Sequence, residues 1–256
     1  ASGAVRIRTG DSVSQNSGEI ELSAGVAAVG SGGQVILAAG HGDTGRGGNV
    51  EIFSGSSEKS TSGHIFMRTA ASGLDSGNIN IETGDAVEGF SGSLEVSTGA
   101  SATDSSGSIR INGGDQLKNS GTIDISAGSS STGRGGNVVL RSGAGASSGG
   151  DITIETGGKV ESSSPGHSGT IEISTGNAGS GSNSGAIQVS TGNAESGIAG
   201  PINIKAGHGG NIRIAAGSSS GTGSTGGAIS VTTGASQAGV SGELSLASGS
   251  GTSSGS

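Results

Sequence analysis

Along this chain aliphatic residues return two apart in one phrase, S/G-G-x-I/V-x-I/V-x-T/A/S-G. Seventeen copies align, opening with SGAVRIRTG (Ser2 to Gly10), SGEIELSAG (Ser17 to Gly25) and GGQVILAAG (Gly32 to Gly40). Their first aliphatic residues run from Val5, Ile20 and Val35 to Ile229 and Leu244, sixteen intervals over 239 residues with a mean near 15. Alternation puts Val5, Ile7 and Thr9 on one side and Ala4, Arg6 and Arg8 on the other, which is the pattern of an extended strand. The third inward position is always small: Thr, Ala, Ser or, once, Gly113. The Gly that usually follows fits a bend at a strand end.

Strands of one direction repeating at a short period predict an all-β fold, a parallel β-solenoid of about 17 repeats of ~15 residues. Parallel crossovers make it right-handed. Two versions compete, one copy per coil or two copies per coil with facing sheets. The ten-residue interval from Ile202 to Ile212 favours two. Its four or so linking residues span ~13 Å, enough to cross between sheets ~10 Å apart but not to return along a strand. The connections hold Val13, Val87, Leu117 and Val160 but no regular apolar column. The longest interval, Ile152 to Ile171, contains KVESSSPGH with Pro165, so length variation falls in loops. One repeat domain over 1–249 followed by a Ser/Gly tail over 250–256 is the expected organisation.

Composition changes the picture in one respect. The chain has 256 residues with 57 Gly, no Trp, no Tyr and three Phe, a balance otherwise typical of low-complexity sequence. Aliphatics arriving on schedule argue for order instead. Without Cys there is no disulfide and no thiolate chemistry. A net charge of -8 with no basic cluster speaks against nucleic acid, and no apolar run approaches the ~18 residues that cross a bilayer. Starting at Ala1 with Val5 already in register, the chain reads as a piece of a longer array.

Candidate chemistry is thin. His41 and His208 share an AGHG context, and His64 and His167 stand apart, none with a matching ligand set. GHGDTGRGG (Gly40 to Gly48) lacks the Lys and helix of a phosphate loop. Asp11, Asp43, Asp85 and Asp115 follow the strand-ending turns without the nonapeptide spacing of calcium-binding repeats. No catalytic residue, cofactor or metal is assigned, and the chain reads as non-enzymatic. Outward positions are mixed and polar, except that Ile36, Phe53 and Phe66 form a candidate partner surface. A loop carrying Phe90 is the alternative cover for it.

The phrase resembles the Ser/Gly-rich parallel β-solenoids of secreted or cell-surface repeat proteins, among them adhesin stalks, algal surface fibres and ice-binding solenoids. The resemblance covers the chain in architecture and composition and singles out no family. It implies a structural or adhesive rod outside the cell, a segment of a filament, stalk or surface layer. Unpaired strand edges at open ends invite end-to-end self-association. Ser/Thr-dense connections are candidates for O-linked glycans, whereas no N-x-S/T sequon occurs. Ice binding is the second reading, weakened because the Thr column shares parity with the inward aliphatics. A glycan-binding or polysaccharide-acting β-helix is the third, and no aromatic groove supports it.

Overall fold

The computed structural model describes residues 3–115, 120–158, 167–220, 224–237 and 239–250. No helix and no strand occurs among them, which corrects the expected parallel β-solenoid, its facing sheets and its β-helix ladders. The reason lies in where the backbone hydrogen bonds go. A ladder needs bonds from phrase to phrase, but the bonds formed among the described residues close each connection on itself. Leu117, Val160, Pro165 and the tail beyond Ser250 lie outside the described residues.

The opening Gly of one phrase donates its N–H to the carbonyl of the Gly that closed the phrase before. Gly33 donates to Gly25, Gly48 to Gly40, Gly63 to Gly55 and Gly136 to Gly128, each at 2.9 Å. The connection thus becomes a loop whose two ends meet at a glycine neck. Closing a loop this short costs little entropy, and the cost grows only by about 0.6 kcal/mol per doubling of length. Loop length therefore varies freely above a constant neck. The Ile202–Ile212 interval closes as a turn, Gly210 to Gly207 at 3.0 Å, with Gly209 at φ 73°. The longest closes at Gly169 to Gly157, 3.4 Å.

Glycine at the neck is a matter of space. A β-carbon added at Gly33 would stand 3.0 Å from the Ala24 Cβ, and one added at Gly48 would stand 3.3 Å from the Ala39 Cβ. The third residue of the phrase then sorts the necks into two kinds. The backbone bond is present wherever that residue is Ala, Ser or Gly: Ala24, Ala39, Ser54, Gly113, Ala127, Ser142, Ala206 and Ala216. Where it is Thr the bond forms beside Thr156 and Thr233, and not beside Thr9, Thr69, Thr83, Thr98, Thr175 or Thr191. At Thr9 and Thr98 the hydroxyl donates instead to the carbonyls of Gly18 and Gly107, both at 3.2 Å. At these two necks the Thr hydroxyl supplies the donor to the opening Gly where no amide bond forms.

Within the loops a second device recurs two residues after the closing Gly. Ser12, Ser57, Ser101 and Ser130 accept, through their hydroxyls, the N–H of Gln15, Ser60, Asp104 and Gly133 at 2.8–3.2 Å. Ser hydroxyls of this kind stand in for a backbone carbonyl and fix the bend. Gly42 and Gly145 occupy the same place in other loops. There a β-carbon would collide with backbone, the carbonyls of Gly45 and Arg46 in one case and that of Ser148 in the other.

Shelter follows the necks. No described side chain is buried, and the residues of intermediate exposure are Thr9, Gly42, Thr69, Ser142, Thr156 and Ala206. All but Gly42 are third-position residues, so the small side chains are better covered than the aliphatics. First-position aliphatics from Ile20 to Leu244 are 49–62% exposed, whereas Val5, with no phrase before it here, is 90% exposed. The chain packs as two units, Ala1–Asp124 and Ile125–Ser256. In the first, phrases follow at 14 or 15 residues, as from Ile65 to Ile79 and from Val5 to Ile20. In the second, spacing runs from 10 (Ile202 to Ile212) to 19 (Ile152 to Ile171).

Candidate interaction surface

The side chains available for recognition are set by phrase parity. Each extended phrase turns its aliphatic pair to one side and its mixed outward residues to the other. The first aliphatic of a pair is half-exposed and the second more so, for example 50% at Ile123 and 69% at Ile125. Loop apolar residues have no cover at all: Val13, Val87 and Phe90 are fully exposed.

Ile36, Phe53 and Phe66, the predicted partner surface, are all well exposed, the two Phe residues at 82% and 83%. With no strand among the described residues, Ile36 and Phe66 do not share a sheet. Phe90 covers none of them, since its own ring stands free. The one ring contact among the described residues is His64 with Phe66, centroids 5.6 Å apart and tilted by 39°. His64, Phe66 and Arg68 share one face of a single phrase, two residues apart, and Arg68 lines an open hollow with Thr69, Ala70 and Ala71. Phe53 does not stack on Phe66.

Charged residues are dispersed. His41 Nε2 stands 3.4 Å from Asp43 Oδ1, and Arg8 stands 3.7 Å from Asp11, with every partner at least three-quarters exposed. Pairs so solvated contribute little. Among the described residues no three His, Asp or Glu side chains gather as metal ligands. The shared AGHG context of the two histidines proves unequal: His41 lies in the seven-residue loop between Gly40 and Gly48, and His208 sits inside the tight turn closed by Gly207 and Gly210. Sequence reading missed the glycine necks that close the loops. Compared with family descriptions, curated proteins and solved structures, the chain matches none.

Proposed function

We propose that this chain is a structural or adhesive repeat array working outside the cell, without a reaction of its own. The supporting observation is the display of one phrase, at similar half-exposure, along both units. A catalytic site concentrates unlike groups in one place, whereas this molecule distributes like groups evenly. Repetition of equal weak sites suits multivalent attachment, in which linked contacts raise avidity without any one being strong. Exposed Ser and Thr in the loops suit O-linked glycans. Placement outside the cell rests on the Ser/Gly-rich resemblance to secreted repeat proteins. That likeness is one of composition, since no solenoid is present among the described residues.

Immunogold labelling of the source cells with an antibody to the purified chain tests the reading. Label on an extracellular layer, filament or stalk is expected. Label confined to the cell interior overturns it. Thermal hysteresis of the purified chain would redirect the assignment to ice binding.

A further inference from the structure

The chain leaves a large surface open. A folded monomer of 23.8 kDa exposes roughly 9,900 Å² and its unfolded chain roughly 34,500 Å². This chain exposes 25991 Å². The difference from a folded monomer, roughly 16,000 Å², is on the order of ten standard protein–protein interfaces. Such an excess is more than one small docking partner covers.

We propose that a second copy of this chain covers the aliphatic pairs, laying its own phrases side by side with these. This rests on the array reading above and gives the partner and the contact. Three observations favour a copy over any other occupant. Every phrase offers apolar residues at the same two positions, Ile, Val or Leu and once Met67, so one chain is complementary to another wherever their phrases meet, as a self-complementary interface requires. In the first unit the phrases recur at 14 or 15 residues, so a match at one phrase sets the match at the next. Shelter is also graded in the way partial organisation demands: Ile79, Ile109 and Ile123 are 49–52% exposed, whereas the loop residues Val13, Val29 and Val87 are 95–104% exposed. The necks hold the phrase half-covered, and a second copy completes the cover. This contact is lateral and needs no strand edge at the chain ends.

Sedimentation of the full chain over a wide concentration range tests the proposal. Beside wild type run two triple variants, I79S/I109S/I123S in the phrases and V13S/V29S/V87S in the loops. Wild type is expected to associate as concentration rises. The phrase variant should need about tenfold more protein to associate, a change of about 1.4 kcal/mol, and the loop variant should stay within about twofold of wild type. A chain that remains monomeric throughout overturns the proposal. So does a phrase variant that associates like wild type, or a loop variant weakened as much as the phrase variant. A monomeric chain still found on the cell surface would remove this contact and leave the proposed function standing. An associating chain found only inside the cell would do the reverse.

Discussion

Gly33 stands where a side chain would meet Ala24, while Gly10 has nothing within 4 Å of an added β-carbon. The two glycines look alike in the phrase, yet only one is constrained by its neighbour. Gly33→Ala is expected to loosen the neck and expose the amide at position 33. Losing one net hydrogen bond of about 1 kcal/mol speeds amide exchange there about fivefold. Gly10→Ala should leave exchange at Gly18 unchanged. The converse change at the other kind of neck is Thr98→Val, which keeps the branch and removes the hydroxyl that donates to Gly107. It should loosen that neck, whereas Thr69→Val, where no such bond is made, should not; the carbonyl carbon shifts of Gly107 and Gly77 read both. Surface charge matters less. Asp11→Asn removes the Arg8 contact between highly exposed side chains and should leave neck exchange unaltered.

Loops and phrases divide the work at the next scale. Six loops are shaped by a local device, the Ser hydroxyl or a crowded Gly two residues after the closing Gly, and each phrase extends from the neck without a ladder partner. Ser130→Ala removes the acceptor held 2.8 Å from the Gly133 amide. Exchange at Gly133 should rise about fivefold, by the same scale of about 1 kcal/mol, while the neck amide of Gly136 stays protected. In the tight turn, Gly209 at φ 73° adopts a conformation that other residues reach at a cost of about 1 kcal/mol or more, so Gly209→Ala should open the turn between Gly207 and Gly210. Much of this was legible in the sequence. The phrase, its two-residue alternation, the small third position and the confinement of length changes to loops can all be read from residues alone. One kind of neck was also written there: Ala24, Ala39 and Ala127 are followed by Gly-Gly at 32–33, 47–48 and 135–136, and each of these necks carries the backbone bond, whereas Ser-Gly openings occur at necks with and without it. What alternation could not reveal is whether extended phrases pair. Periodicity reports which side chains share a face, and pairing depends on where the backbone donors find acceptors. In this chain the nearby neck carbonyl takes the donor of the opening Gly first.

At the scale of the molecule, two units with no buried side chain among the described residues display their aliphatics rather than enclose them. Enclosure in a monomer would have required the ladders that the necks pre-empt. The same feature that prevents a core leaves repeated apolar surface for a second chain. The account therefore stands or falls on the necks. Residue-resolved hydrogen exchange of the chain, diluted until monomeric, tests them most directly. Protection at the opening glycines Gly33, Gly48, Gly63, Gly136, Gly150, Gly227 and Gly242 and at bonded loop amides such as Gly133, with fast exchange through phrases such as 50–54 and 152–156, is the predicted result. Continuous protection along those phrases would show ladders between them and contradict it.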